Sequence, residues 1–291
     1  MAGRCGFFLQ AVGGKNEDRM RQRPVALIDF QSSVQESKKD RNFVMALARG
    51  LEILRAFQAT DGMLSNQEIA QRTGIPKPTV SRLTYTLTKL GYLTYSERLE
   101  RYQLGTGVLA LGYSCLASVG IRQVARPLMQ QLADEVGLAV SLGSRDRLSM
   151  VYLENCQGGG ALTLRPQVGS RIPISTTAMG RAFLAVLPEK ERAYLMEHLE
   201  RKDPENWLNI REGIEQAVRD YRELGYCMSL GDWERDVNAV GVPLVLDDGA
   251  DVVAFNCGGP SFHMSRERVE KEIGPRLVAL VQSVRSRVSH P

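Results

Sequence analysis

Short polar, hydroxyl and basic side chains are concentrated between residues 77 and 85. They are Lys77, Thr79, Ser81, Arg82 and Tyr85. Basic side chains donate hydrogen bonds to phosphate oxygens and to guanine edges, and hydroxyl groups bond either phosphates or bases. Presented together on one helical face, such a set favours contact with a nucleic-acid groove. Arg82 is then the candidate for a base edge, and the three hydroxyl residues are candidates for phosphate or base contacts.

The apolar residues of the same segment predict a helix that presents this polar set outward. Val80, Leu83, Leu87 and Leu90 recur at helical spacing and predict a buried stripe. Gly91 follows as a predicted helix end. An amphipathic surface helix shows the same division of faces whether or not it binds anything. The neighbouring elements therefore decide between the two interpretations.

Two helices are predicted before this one. The first is indicated by apolar residues at helical spacing, namely Val44, Leu47, Leu51 and Leu54. The second begins at Ser65, because Ser65 and Glu68 have the spacing of a capping box. Gly74 interrupts it, and Pro78 is typical of the first turn of the next helix. A tight turn between two helices is therefore expected.

A β-hairpin is predicted after the third helix, because two short strands at 92–95 and 101–104 enclose the charged segment 96–100. Further candidate contacts are Arg98 and Arg101 on this wing for an adjacent minor groove, and Arg49 and Ser65 for phosphates. The order helix, helix, turn, helix, wing predicts a winged helix-turn-helix. Agreement among several independent elements favours this module over a surface helix without a partner.

The net charge of the chain is +4, and the excess lies in the predicted winged helix-turn-helix. Residues 41–105 carry nine basic and five acidic side chains, whereas residues 106–291 carry 21 and 23. A basic module attached to a slightly acidic one suits a nucleic-acid-binding protein with a second domain. No apolar run approaches the roughly 18 residues that a membrane span needs. We expect no membrane partner.

The cysteines and histidines show no metal-binding or catalytic pattern. The five cysteines form no CxxC pair, and none of the three histidines has a metal-like or catalytic partner at short spacing. We therefore expect no metal, no cofactor and no catalytic residue, and a reducing cytoplasm is the simplest setting. Two alternatives stay open: an enzyme with Cys156, Cys227 or Cys257 as nucleophile, or a metabolite-binding adaptor without a DNA role. Burial in a core is the competing interpretation of these cysteines.

The remaining sequence predicts an α+β domain after a helical connector. The connector comprises helices at 109–119 and 124–136, and this connector could form a dimer surface. Strands are predicted at 138–143, 148–154 and 161–165, then helices at 176–187, 190–199 and 210–224, then strands at 226–230, 237–246 and 252–256, and a final helix over 269–288. Strands, then helices, then strands favour α+β over a doubly wound α/β fold.

Several segments together resemble the IclR-type bacterial transcription regulators. They are ARGLEIL at 48–54, EIA at 68–70, GIPKPTVSRL at 74–83, LGYL at 90–93, YQLG at 102–105, GSRIP at 169–173, TAMGRA at 177–182, GY at 225–226 and GGP at 258–260. The resemblance runs from about Phe43 to the C-terminus. It implies a winged-helix domain, a linker helix used in dimerisation and a GAF-like ligand-binding domain, and tetramers are common in the family.

Carried over by position, the resemblance implies an effector pocket. Its lining would be Ala178 and Met179 at a helix start, with Ser229, Asp232, Ala239, Asn256 and Gly258 from later strands. Free N–H groups at a helix start suit the carboxylate of a small organic acid, whose other oxygens Ser229 and Asn256 could bond. Asp232 stands where the family often has glutamate, and Gly258 where a serine sometimes stands. These departures leave the ligand open.

The sequence thus predicts four parts. They are a flexible N-terminal extension (1–41), a winged helix-turn-helix domain (42–105), a linker helix (106–121) and an effector-binding domain (122–291). The expected function is that of a cytoplasmic transcription regulator whose operator affinity changes with an organic-acid or aromatic metabolite. The expected partners are double-stranded operator DNA, a carboxylate effector, further copies of the chain in a homodimer or tetramer, and RNA polymerase.

Overall fold

The computed structural model describes residues 40–159, 166–246 and 251–289, together with Ile28, Val34 and Gln35. Two compact units are present, an N-terminal unit within residues 26–120 and a C-terminal unit within residues 121–291. Most of the predicted extension 1–41 and all of the predicted strand 161–165 lie outside the described residues.

The N-terminal unit contains the predicted series of helices and the predicted wing. Its elements are α1 (Met45–Arg55), α2 (Asn66–Thr73), α3 (Lys77–Lys89), β1 (Leu93–Ser96), β2 (Arg101–Leu104) and α4 (Thr106–Ser118). Leu93 pairs with Leu104 and Ser96 with Arg101, so β1 and β2 form an antiparallel hairpin. The winged helix-turn-helix prediction is confirmed.

The capping box that begins α2 is confirmed. The Ser65 hydroxyl accepts a hydrogen bond from the Glu68 N–H, and the Ser65 N–H donates to Glu68 Oε2 at 2.7 Å. Two orphan N–H groups of the helix start are thereby satisfied. At the other end, Gly74 caps α2 with φ +66°, a left-handed conformation that favours glycine. The turn to α3 is therefore set by local sequence.

The core of this unit differs in part from the predicted stripes. It consists of Ile53, Phe57, Leu64, Ile69, Ile75, Val80 and Leu93. Val80 is fully buried as predicted, but Leu90 is 64% exposed. In α1 the predicted stripe is divided, because Leu54 packs against this core while Leu47 and Leu51 are 62% and 53% exposed. The first part of the apolar face of α1 is therefore left uncovered within its own unit.

The C-terminal unit is an antiparallel sheet with helices, and the α+β prediction is confirmed. Its elements are α5 (Gly120–Val136), β3 (Ala139–Asp146), β4 (Ser149–Gln157), β5 (Arg171–Pro173), α6 (Ala178–Val186), α7 (Glu189–Lys202), α8 (Trp207–Leu224), β6 (Cys227–Leu230), β7 (Val237–Val245), β8 (Val252–Pro260), α9 (Arg266–Arg268), a π-helical turn (Val269–Ile273) and α10 (Gly274–Ser289). The strand order is β5-β4-β3-β8-β7-β6. The short strand β5 was not predicted from the sequence.

Helix α6 lies directly on the sheet because glycines allow the contact. A Cβ at Gly241 of β7 would collide with the carbonyl oxygen of Ala178, and a Cβ at Gly143 of β3 would collide with the Met179 sulfur. The other face of the sheet receives α5, where the Cys156 thiol lies 3.7 Å from the Arg126 carbonyl oxygen. The start of α6 is therefore held against the strands β3, β8 and β7.

Strand β4 contains a bulge that changes which residues share a face. Leu142 pairs with Glu154 but Gly143 pairs with Tyr152, so Leu153 has no partner across the ladder. Directly paired residues in an antiparallel ladder point to the same face. Tyr152 therefore lies on the α6 side, although simple alternation would place it with Glu154 on the α5 side.

No single described helix is long and apolar enough to cross a membrane. Taken together as a bent pair, α4 and α5 reach the length and the apolar composition of a membrane-spanning segment.

Candidate functional site

The polar face of α3 is open. Lys77, Ser81, Arg82 and Tyr85 are exposed, Tyr85 by 64%, and Thr79 is half-buried beside them. Neither Lys77 nor Arg82 forms an ion pair with any described residue. Opposite this face, Val80 and Thr84 are fully buried and anchor the helix. A helix anchored on one side, with free cations on the other, has the properties of a groove-binding element.

The contact that Asn66 makes beside this face was missed from the sequence. Asn66 in α2 donates to the Ser81 hydroxyl and accepts from the Thr84 hydroxyl, both at 3.3 Å, and so joins α2 to α3. The Lys89 ammonium lies 5.5 Å from the centre of the Tyr85 ring, within cation–π range. Only the juxtaposition of α2 and α3 reveals the role of Asn66, because the residues it bonds are 15 and 18 positions away.

The two wing arginines have different surroundings. Arg98 is exposed at the hairpin tip. Arg101, however, donates to the Met63 carbonyl oxygen at 3.1 Å and forms an ion pair with Glu68 at 3.2 Å. Its guanidinium therefore fastens the wing to the start of α2. Ser65 is likewise engaged in the α2 cap, with its hydroxyl 2.7 Å from Glu68 Oε2.

Arg49 lies on α1 and is half-buried. Its Nε is buried and has no hydrogen-bond partner among the described residues. A buried guanidinium nitrogen without an acceptor is unusual, because arginine donors are normally satisfied. An oxygen of a bound phosphate would supply such an acceptor. This is compatible with the phosphate contact that the sequence predicts for Arg49.

The C-terminal unit encloses a cavity of about 220 Å³ between the sheet and α6. The lining residues are Ala139, Ser141, Tyr152, Pro166, Ser170, Arg171, Ile172, Thr177, Ala178, Ser229, Trp233, Val237, Ala239, Asn256, Gly258 and Gly259. The lining is mostly apolar with a few polar groups, as in typical small-molecule sites. For scale, an apolar cavity of about 150 Å³ holds benzene.

Five of the seven effector-site residues taken from the sequence line this cavity. They are Ala178, Ser229, Ala239, Asn256 and Gly258. Met179 is fully buried against Gly143, so its side chain contacts the sheet. Asp232 lies in a different groove, where its carboxylate accepts a hydrogen bond of 2.6 Å from the buried Arg181 guanidinium. The side chains of Met179 and Asp232 therefore do not join the other five.

The cavity residues missed from the sequence include two aromatic residues and an arginine. Tyr152 is 4% exposed, and Trp233 is half-buried in the β6–β7 loop. Arg171 is exposed and forms an ion pair with Asp146 at 3.1 Å. The segment GSRIP, one of the segments that resemble the family, contains Arg171, but the placement of Tyr152 depends on the bulge at Leu153.

The hydroxyl groups of the cavity already donate to protein oxygens. Ser229 donates to the Thr176 carbonyl oxygen at 2.7 Å, Ser141 donates to Asn155 Oδ1 at 2.7 Å, and Thr177 donates to the Pro173 carbonyl oxygen at 2.6 Å. A hydroxyl that has donated its proton can still accept hydrogen bonds. Ser229 is therefore arranged to accept from a ligand, whereas the sequence suggested only that it would bond oxygens of the acid other than the carboxylate held at the helix start.

The beginning of α6 lies at the cavity, because Thr177 and Ala178 both line it. Thr177 is the N-cap residue, and its hydroxyl accepts from the Gly180 N–H at 3.2 Å. Among the described residues, no acceptor is recorded for the N–H groups of Ala178 and Met179. Donors at a helix start attract anions, because they carry the positive end of the helix dipole.

The three candidate thiols of the C-terminal unit are buried. Burial raises the pKa of Cys257 to about 12 and also raises the pKa values of Cys227 and Cys156. Nucleophilic cysteines need a lowered pKa, because the thiolate is the reactive form. No group of three or more metal-binding side chains occurs among the described residues either. The described geometry favours a binding site over a thiol-based catalytic site.

An exposed recognition helix in one unit and a lined cavity in the other define a DNA-binding regulator with a ligand-binding domain. Residues 46–97 match the IclR helix-turn-helix domain, and residues 113–288 match the bacterial transcriptional regulator IclR C-terminal domain. The chain therefore belongs to the IclR family of transcriptional regulators.

Individual relatives agree with this assignment. The HTH-type transcriptional regulator TsaQ1/TsaQ2 of Comamonas testosteroni is 38% identical over 247 residues, which cover 84% of this chain and 88% of that protein. The Pca regulon regulatory protein of Pseudomonas putida is 28% identical over 251 residues, covering 84% of each.

Solved structures share the fold. An IclR family transcriptional regulator from Brucella abortus is 52% identical, with a TM-score of 0.84, and the match covers 91% of this chain and 100% of that chain. An IclR homolog from Microbacterium hydrocarbonoxydans, solved in complex with 4-hydroxybenzoate, is 18% identical with a TM-score of 0.65 and covers 84% and 100%. Because the identity to the Microbacterium protein is only 18%, this similarity shows a shared fold and nothing more.

Proposed function

We propose that this regulator binds operator DNA through the exposed face of α3 and that a small carboxylate in the C-terminal cavity changes its operator affinity. The single observation that supports the DNA-binding part is the free polar face of α3. Lys77 and Arg82 are exposed there without ion-pair partners among the described residues. Thr79, Ser81 and Tyr85 supply further hydrogen-bonding groups beside them.

The structure supports different roles for the other proposed DNA contacts. Arg98 is exposed at the wing tip and is the proposed minor-groove contact. Arg101 and Ser65 are engaged with Glu68, so they are proposed to position the wing and α2, with phosphate contact as a secondary role. Arg49 is proposed to contact a phosphate, because its buried Nε has no partner among the described residues.

The proposed effector is a small aromatic or organic acid. The cavity volume of about 220 Å³ suits a single substituted ring. The Ala178 and Met179 N–H groups at the start of α6 are the proposed carboxylate partners. The solved Microbacterium homolog holds 4-hydroxybenzoate, which is compatible with this class of ligand. A ligand that favours one conformation of the domain shifts the population that binds DNA.

Dimerisation is proposed to use α4. No residue of α4 is buried, and its apolar residues Leu109 and Tyr113 are 73% and 72% exposed. The exposed Leu47 and Leu51 of α1 belong to the same unit. Exposed apolar surface of this extent is typical of an interaction site. Two copies of α3 would then meet two operator half-sites.

Replacing one leucine of α4 by a charged residue tests this dimer. Leu109→Arg is expected to lower the dimer fraction and to weaken operator binding by about tenfold or more, because a desolvated arginine opposes association. The measurement is molar mass by light scattering with a parallel operator titration. Leu208→Arg is the matched control, because Leu208 is 72% exposed in the other unit. Equal masses for both variants and the parent would contradict the proposal.

Operator binding itself is tested by letting the protein select duplexes from genomic fragments. The duplexes that it retains are then footprinted. We expect two half-sites about 10 base pairs apart or a multiple of this spacing. Affinity is expected to fall steeply with salt, because phosphate contacts release counterions. No measurable affinity for any duplex at moderate salt would instead favour the adaptor alternative. Turnover of a bound acid by the purified protein would favour the enzyme alternative.

A further inference from the structure

The cavity lining includes two buried polar side chains from different strands. Tyr152 of β4 is 4% exposed and Asn256 of β8 is 9% exposed, and both line the cavity. Burial raises the pKa of the Tyr152 phenol to about 12, against the opposing effect of a hydrogen bond from Asn256. The phenol therefore keeps its proton at neutral pH and can donate a hydrogen bond.

The amide oxygen of Asn256 lacks a donor. Asn256 Oδ1 is buried and has no hydrogen-bond partner among the described residues. The nearby hydroxyls do not supply one, because Ser141 donates to Asn155 and Ser229 donates to the Thr176 carbonyl oxygen. Buried polar atoms are nearly always satisfied, so an unpartnered acceptor that lines a cavity is suited to a donor on a bound ligand.

The bulge in β4 places Tyr152 on the same face of the sheet as Asn256. Leu153 is the extra residue, and without it Tyr152 would lie on the opposite face of the sheet. Asn256 pairs directly with Ser141 of β3, so its side chain is on the cavity face already. The same face carries Gly258, where an added Cβ would lie 3.7 Å from Asn256 Nδ2. The two polar side chains thus meet inside the cavity through tertiary placement alone.

We propose that Asn256 and Tyr152 recognise a hydroxyl group of the effector, which donates to Asn256 Oδ1 and accepts from the Tyr152 O–H. A hydroxyl is the smallest group that does both. The inference rests on the proposed function, because it specifies which acid the cavity holds. With the carboxylate at the start of α6, the effector is a small aromatic acid that carries a hydroxyl substituent.

The test compares probes that differ only in the hydrogen bonds they make. Benzoate, the 3- and 4-hydroxybenzoates, the matching fluorobenzoates and 4-formylbenzoate are titrated into the full chain by calorimetry. Fluorine is close to a hydroxyl in size but cannot donate, and a formyl group only accepts. One hydroxybenzoate is expected to bind about tenfold more tightly than its fluoro analogue, as for a ligand that satisfies a buried acceptor.

Two variants assign this preference to the pair. In Asn256→Leu the hydroxyl-to-fluoro ratio is expected to fall to about one. In Tyr152→Phe the ratio is expected to fall several-fold, while affinity for the fluorobenzoate stays within about twofold of the parent. Far-UV circular dichroism spectra that match the spectrum of the parent show that both variants are folded. A purely structural role for Tyr152 would weaken all probes equally.

The remaining outcomes separate the inference from the proposed function. If hydroxy and fluoro probes bind equally well, or if 4-formylbenzoate binds most tightly, the hydroxyl-recognition inference is overturned while the acid-binding cavity stands. If none of the benzoates binds at millimolar concentration, the aromatic-acid cavity fails, and the inference fails with it.

Discussion

Arg82→Ala is expected to weaken operator binding by about 5- to 150-fold, which corresponds to the roughly 1–3 kcal/mol of a base contact. Arg82 is exposed on α3 and forms no ion pair with the described residues, so its guanidinium is available for a base edge. The loss is expected to be accompanied by relaxed specificity at one position of each half-site. Gel-shift titration against the selected operator and its single-base variants measures both effects.

Two companion variants separate base contact from general charge. Lys77→Ala is expected to weaken binding to all duplexes alike and to lower the salt slope by about one, as for a phosphate contact. Arg201→Ala removes an equal charge from α7, where Arg201 is 65% exposed and paired with Glu197. It is expected to leave operator affinity unchanged. An Arg82→Ala protein that binds like Arg201→Ala would refute the assignment of α3 as the recognition helix.

Phe255→Ala is expected to destabilise the C-terminal unit by about 3–5 kcal/mol, the usual cost of truncating a fully buried phenylalanine. Phe255 lies in β8 and is 0% exposed, with Leu142 and Val242 as its partners on the flanking strands. Truncation leaves a cavity in the centre of a six-stranded sheet that can collapse only partly. Urea unfolding followed by tryptophan fluorescence measures this unit specifically, because Trp207 and Trp233 are the only tryptophans of the chain.

Phe262→Ala is the matched control for this prediction. Phe262 follows β8 and is 79% exposed, so the same substitution removes little buried surface. We expect a change within about 0.5 kcal/mol. The prediction on Phe255 fails if the two variants unfold at the same urea concentration. A large loss for Phe262→Ala alone would instead reveal a partner that covers this side chain.

Local signals in the sequence predicted the N-terminal unit well. The Ser65–Glu68 capping box, the turn at Gly74 and the hairpin at 93–104 depend on residues within a few positions of one another. Short-range hydrogen bonds and backbone preferences decide such features, so they can be recognised without tertiary information. The apolar periodicity of α1 was detected for the same reason, but periodicity does not say what covers an apolar face. Leu47 and Leu51 belong to this apolar face, and the structure shows that they are exposed within the described unit.

The sequence by itself determined the order of elements in the winged helix-turn-helix, the α+β class and the polar face of α3, because each depends on local spacing and residue type. Only the tertiary structure decided which residues share the cavity. A one-residue bulge places Tyr152 beside Asn256, and the ion pair with Arg181 holds Asp232 in another groove. Both outcomes depend on strand register and on contacts between residues far apart in the chain, which no local pattern encodes.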